Sequence, residues 1–171
     1  MATRSNIRVI LKEEDRNKDM KFNPELIGKD SMGLYKINDK EWGSDQIEVE
    51  NGSWETVNPN GKPALSIYHH WDGYPEGVGV TLIKQYNTYE KALNLMLGGD
   101  CSTINDSYTP YALRKGEDWD TIEPQKIDEG KGIGEEWDYM FKDGEWYVRD
   151  GYDPVDWTLL TETLKKREEN E

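Results

Sequence analysis

Aromatic side chains recur at every second position in Trp137, Tyr139 and Phe141, and the run ends at Asp143-Gly144 before Trp146-Tyr147-Val148. Asp-Gly accepts the positive φ values of a two-residue hairpin turn, so this stretch is committed to two antiparallel strands. A second stretch has the same logic. Ile47-Glu48-Val49-Glu50 alternates apolar and acidic residues, Asn51-Gly52 supplies the turn, and Ser53 to Val57 returns. Pro59 to Pro63 is a further turn signal, and Ala64 to Trp71 makes a third strand. Sequential strands joined by short turns predict a meander. Ile7 to Leu11 is one more β-prone run, and the charged stretch from Lys12 to Lys21 reads as a solvated loop.

Helical signals lie between and after these strands. Pro75 and Glu76 suit a helix start, with Val78, Leu82 and Ile83 toward a core as far as Tyr86. Thr88 can cap a second helix, and Gly98-Gly99 can end it at Leu97. Asp153-Pro154 opens a third, with Trp157, Leu160 and Leu164 on one face. The pattern predicts an α+β fold: an antiparallel β-sheet, meander plus C-terminal hairpin, with helices packed on one face. The 171 residues show no internal repeat and read as a single domain, 1–171. A solvated loop is expected at 115–135, most flexible at Gly130 to Gly134, and a frayed tail at 165–171.

Composition narrows the partners. The formal net charge is −14. An acidic surface repels phosphate backbones and anionic lipid, so direct nucleic-acid and membrane binding are disfavoured. Seven Trp and ten Tyr argue against a disordered acidic chain, which would be poor in aromatics. No apolar stretch approaches the ~18 residues needed to span a bilayer. The start, Met1 to Ser5, has no apolar core behind it, as a secretory signal would. One cysteine, Cys101, excludes an internal disulfide and a Cys-based zinc site, and points to a reducing compartment.

Chemistry concentrates in His69-His70-Trp71-Asp72-Gly73-Tyr74-Pro75-Glu76-Gly77-Val78-Gly79, where a strand ends, a loop turns and a helix begins. Helix starts carry unpaired N–H groups, and Gly77 and Gly79 would let an anion approach them. On a regular strand His69 and His70 face opposite ways, so His70 shares its face with Asp72. An imidazole beside a carboxylate is the arrangement of a general base, which makes His70 and Asp72 the catalytic candidates. The same residues also suit a plain turn, since Asp commonly bonds its own following backbone. The glycine spacing is neither a dinucleotide fingerprint nor a phosphate-binding loop. Two adjacent histidines make a transition-metal site unexpected, and no cofactor motif is present. Cys101, near a helix C-terminus, reads as a packed thiol.

Three segments together carry a resemblance: Thr3-Arg4-Ser5 with Ile7, Tyr68 through Gly79 with Leu82, and Leu97 through Ile104. They resemble a family of small bacteriophage and prophage proteins with a TRS-x-I start and a Y-x-HWDGYP-x-x-VG motif. Glu145 to Arg149 is similar to that family too, whereas the long segment from Lys12 to Ala64 departs from it. The resemblance implies a phage origin and action in the cytoplasm of the infected bacterial host, with no mechanism attached. The positions matching its motif are Arg4, Ser5, His70, Asp72, Tyr74 and Gly79.

The expected function is that of a phage accessory protein, in counter-defence, holding a small anionic, nucleotide-like ligand at the strand–loop–helix junction. Arg4, Ser5, His70, Asp72, Tyr74, Gly77 and Gly79 are the expected ligand-binding residues. One alternative is an acidic protein–protein inhibitor or nucleic-acid mimic of a basic host protein. The other is a hydrolase in which His70 serves as base. Edge strands of a meander also offer a route to a homo-oligomer.

Overall fold

The computed structural model describes residues 3–16, 62–104, 124–152 and 156–169, and the backbone alone of 18–20, 27–29, 35–37, 47–49, 109–110 and 126. In chain order the strands are β1 (Ser5–Ile10), β2 (Lys18–Met20), β3 (Ile27–Lys29), β4 (Tyr35–Ile37), β5 (Ile47–Val49) and β6 (Pro63–His69). β7 (Cys101–Thr103), β8 (Thr109–Pro110), β9 (Gln125–Asp128), β10 (Trp137–Lys142), β11 (Glu145–Asp150) and β12 (Thr158–Leu159) follow. The helices are α1 (Val80–Gln85), entered through a π-helical turn at Pro75–Gly79, then α2 (Tyr89–Leu97) and α3 (Leu160–Glu169). None of these described helices is long and apolar enough to cross a membrane.

The fold is α+β, but its sheet is mixed. Its order is β12-β11-β10-β1-β6-β7-β8, with β9 also beside β6. β1 runs parallel to β10 and β6 runs parallel to β7, while the other pairs are antiparallel. This corrects the purely antiparallel expectation. Turn signals report only neighbours in sequence, whereas parallel partners need a long crossover that leaves no local mark. The meander is corrected as well. β5 pairs with β2 in a separate two-stranded sheet, and β6 pairs with β1. The strand expected at Ser53 to Val57 lies outside the described residues.

Registers explain the core. Ile7 stands between Ile67 and Tyr139, and Val9 between Leu65 and Phe141. Tyr139 and Phe141 in turn face Val148 and Trp146. Alternation puts all of these on one face. They form one apolar core with Leu82 of α1, Leu93 and Met96 of α2, and Leu160 of α3. Burying a side chain of this kind contributes about 1.5–3 kcal/mol.

Local signals placed several elements well. Asp143 and Gly144 adopt φ of 52° and 82°, the double positive φ of the tight hairpin turn. Thr88 caps α2 by accepting the Lys91 N–H at 3.2 Å, and Gly99 leaves the helix at φ 82°. The third helix starts later than expected. Thr158 and Leu159 pair with β11 as a strand, and Trp157 precedes them. The capping residues 153–155 lie outside the described residues. α3 extends through Lys165 to Glu169, which the polar sequence had marked for fraying. Arg167 of α3 pairs with Glu76, tying that end down, and this hydrogen bond holds the Glu76 carboxyl below its ordinary range. Within 115–135, expected as loop, β9 is a strand against β6. The stretch from Lys12 contains a 3-10 turn at Glu13–Asp15, then β2.

Candidate functional site

The three segments that carry the resemblance meet at one end of the sheet. Gly73 donates its N–H to Thr3 O at 2.8 Å. His70 and Trp71 donate theirs to Cys101 O and Ser102 O at 3.2 and 2.9 Å. The Tyr68 N–H reaches Asp100 Oδ1 at 2.8 Å. Trp137 of β10 adds an N–H to Arg4 O at 3.3 Å. Residues as far apart as Arg4 and Trp137 are thus joined in one hydrogen-bond network.

The glycines serve this junction sterically. A Cβ on Gly73 would lie 2.6 Å from Thr3 O, and one on Gly77 would lie 2.4 Å from Asp72 O. A Cβ on Gly79 would come within 3.2 Å of Leu160 Cδ1, so that glycine admits α3. Asp72 itself takes φ 58°, a left-handed conformation that Asp tolerates better than most residues. The helix-start donors are engaged by the chain: Val78 donates to Asp72 O at 2.9 Å and Gly77 to Tyr74 O at 3.0 Å. The Tyr139 hydroxyl donates to Gly73 O at 2.6 Å and closes the loop from below. An anion at this junction must therefore be met by side chains. Gly77→Ala is expected to cost about 1–3 kcal/mol through overpacking against Asp72, read as a lower midpoint in urea unfolding. An unchanged midpoint would show that the loop yields freely.

The side chains divide by face. Ser5 is buried, with its Oγ 3.3 Å from His69 Nδ1. His69 is fully buried, its Nε2 has no hydrogen-bond partner, and burial, aided by His70, lowers its pKa to about 3. It is a neutral core imidazole. His70 lies on the other face, where its Nδ1 is 2.6 Å from the Tyr68 hydroxyl and its ring stands edge-on to Trp71. Arg4, Asp72 and Tyr74 are exposed, and Gly73 bridges the Arg4 backbone to that loop. Beside them, burial raises the Glu135 carboxyl while Arg4 opposes the rise. Arg4, Asp72 and Tyr74 are thus exposed beside the Thr3–Gly73 backbone contact, and Ser5 is turned inward. Cys101 is buried, and burial beside Asp100 pushes its thiol well up.

A second polar centre was not anticipated. On the sheet face away from the helices, Arg8, Asp138 and Arg149 are all buried. Asp138 Oδ2 meets Arg149 Nε at 3.0 Å and Arg8 Nη2 at 3.4 Å, the latter an ion pair without hydrogen-bond geometry. Trp157 covers both guanidinium groups, at 4.2 Å from Arg149 and 5.3 Å from Arg8. Arg8 Nη1 donates to Glu129 O and Lys131 O, and Arg149 Nη2 to Gly130 O and Lys131 O. The glycine-rich loop, expected to be the most flexible segment, is pinned at its start by two buried arginines. Burial lowers Arg8 to about 10 and raises Asp138, each opposed by its partner's charge. No local sequence signal marks this centre: Arg8 lies between Ile7 and Val9, and only the structure shows β1 buried on both faces.

A cavity of about 360 Å³ opens at the opposite end of β1 from Arg4. Ile10, Leu11 and Phe141 form its apolar part, and Lys12, Arg16, Lys62 and Lys142 bring positive charge to it. Tyr89 forms one wall. Its hydroxyl donates to Asp15 Oδ2 at 2.7 Å and accepts the Lys12 N–H at 3.1 Å. Burial and the Asp15 hydrogen bond push the Tyr89 hydroxyl far up, so it stays protonated. Among the described residues, no group of three or more His, Cys, Asp or Glu side chains is placed to hold a metal ion. With the geometry in hand, comparison of the chain with protein-family models, curated proteins and solved structures finds no match to any of them.

Proposed function

We propose that this chain is a phage-encoded accessory protein that works in the cytoplasm of an infected bacterium, in counter-defence, by binding a small nucleotide-like anion. The observation that supports the reading is the convergence of Thr3 to Ser5, Tyr68 to Gly79 and Asp100 to Thr103 on one junction. Arg4 and Tyr74, a cation and an aromatic ring, are exposed side chains of the segments that meet there. With the Gly77 and Val78 N–H groups already bonded, the anion would rest on Arg4 and the base on Tyr74.

The test is thermal unfolding against cyclic dinucleotides. A ligand at 100 times its dissociation constant stabilises by about 2.7 kcal/mol. For a chain of this size that raises the midpoint by roughly 5–10 °C. Arg4→Ala is expected to remove the shift without lowering the unliganded midpoint. A full shift retained in Arg4→Ala would remove Arg4 from the site and sink this reading.

A second reading rests on the charge of −14 and the exposed Tyr152 and Tyr74: an acidic inhibitor or nucleic-acid mimic of a basic host protein. Tyrosines are favoured interface anchors, and such a complex would weaken steeply as salt rises. The hydrolase reading draws least support, because Tyr68 already holds His70 Nδ1 and His69 is sealed in the core.

A further inference from the structure

We infer that the cavity at the Lys12 end of β1 is a second binding site, for a nucleoside monophosphate. It stands independently of the Arg4 surface. Eight residues of extended chain separate Lys12 from Arg4, about 26 Å at roughly 3.3 Å per residue.

Size is the first argument. Ligand pockets run from about 300 to 1,000 Å³. A cavity of about 360 Å³ lies at the small end of that range, suited to a mononucleotide and too small for a cyclic dinucleotide.

Charge is the second. Carboxylates outnumber Lys and Arg by 35 to 21 over the chain. Four cations, Lys12, Arg16, Lys62 and Lys142, line this cavity with Glu13, Glu14 and Asp143, while Glu129 pairs with Lys142 and Asp15 with Tyr89 behind them. These four cations converge here on a chain whose net charge is −14. Phosphate is a strong acceptor of charge-assisted hydrogen bonds from such groups.

The lining also separates a nucleotide from free phosphate. Leu11 and Phe141 are buried beneath the cavity and offer an apolar floor to a base. Glu13, Glu14 and Asp143 accept from ribose hydroxyls and exocyclic amines, donors that inorganic phosphate lacks. The cations are poised for exchange. The Lys12 ammonium sits 4.5 Å from the centroid of the Tyr89 ring, a contact that leaves its N–H donors to turn toward a phosphate. Lys142 meets Glu129 at 3.4 Å, a half-exposed pair of the weak surface kind. The Tyr89 ring cannot swing away, because its hydroxyl is held from both sides by Asp15 and the Lys12 N–H.

The experiment is isothermal titration of the full chain with adenosine 5′-monophosphate at low salt, repeated with the guanosine, cytidine and uridine monophosphates and with inorganic phosphate. Saturable binding of at least one nucleotide is expected, tighter than that of inorganic phosphate. The double variant Lys12→Ala, Lys142→Ala should weaken it roughly tenfold or more. In the wild-type chain the bound nucleotide should shield Lys12 and Lys142 from acetylation, read by mass spectrometry, which needs no variant to fold. Absence of saturation with all four nucleotides overturns the inference. So does unaltered acetylation of both lysines under saturating nucleotide. Loss of binding in Arg4→Ala with the double variant unaffected would assign the nucleotide to the Arg4 surface and remove it from the cavity.

Discussion

Asp138→Ala is expected to lower the unfolding free energy by roughly 3–5 kcal/mol, because it leaves two buried guanidinium groups without their shared counter-charge. Arg8 is fully buried and Arg149 nearly so, and Asp138 Oδ2 is the carboxylate oxygen set between them. The direction of each shift already records the strain: burial lowers Arg8 to about 10 and raises Asp138. Desolvation opposes this cluster, and mutual charge with the loop carbonyls offsets it. Removing one member therefore costs more than the pair is worth. At about 2–4 °C per kcal/mol for a chain of this length, the thermal midpoint should fall by roughly 10 °C. Hydrogen exchange should also rise in residues 129–131, whose carbonyls the arginines hold. Replacing all three charged residues together by apolar ones of similar volume should cost much less. A loss under about 1 kcal/mol for Asp138→Ala alone would mean that water reaches the arginines and the cluster is in effect a surface network.

Acid should unfold this protein through His69. Its pKa is lowered to about 3 in the folded state by burial and by His70, against an ordinary value of 6.5. Between those values the unfolded chain binds a proton that the folded chain excludes. Stability is therefore unaffected by this group above pH 6.5, and it falls as the pH drops from 6.5 toward 3, by about 1.4 kcal/mol per pH unit. Urea unfolding at pH 7, 6, 5 and 4 measures the slope. Carboxylates contribute to the same acid limb, so the comparison is with His69→Gln, which keeps a polar group of similar size and cannot titrate. The variant should be less stable at pH 7, where it disturbs Ser5 and the core, yet should lose stability less steeply on acidification. Parallel slopes for the two proteins would mean that His69 is protonated in the folded state and that the pocket holds a charge.

The two centres were unequally visible beforehand. His69 and His70 are adjacent, and a regular strand would put Asp72 on the face of His70, yet β6 ends at His69 and Asp72 turns at φ 58°. Alternation separated the two histidines as expected, but which of them faced the core depended on β1, whose Ser5 lies opposite His69. The glycines at 73, 77 and 79 were legible as a strand-to-helix turn. Their reason was not, because the atoms that exclude a Cβ belong to Thr3, Asp72 and Leu160. Nothing local marked Arg8 and Arg149 as buried. A single strand cannot report that Trp157 and the carbonyls of residues 129–131 cover that second face.

What the sequence by itself determined is what short-range physics controls. The β10–β11 hairpin follows from the left-handed tolerance of Asp143-Gly144, and the start of α2 from the Thr88 hydroxyl three residues before its bonded N–H. β1 follows from its β-prone run of Ile7 to Leu11. Each depends on residues within a few positions of one another. Only the tertiary structure decided that β1 lies between β6 and β10, parallel to the latter, and that β5 belongs to another sheet. It alone buried Arg8 with Asp138, 130 positions away, and assembled the cavity from β1, α2 and the β10–β11 turn. Those outcomes turn on which apolar faces bury each other across more than a hundred residues, and no local conformational preference records that choice.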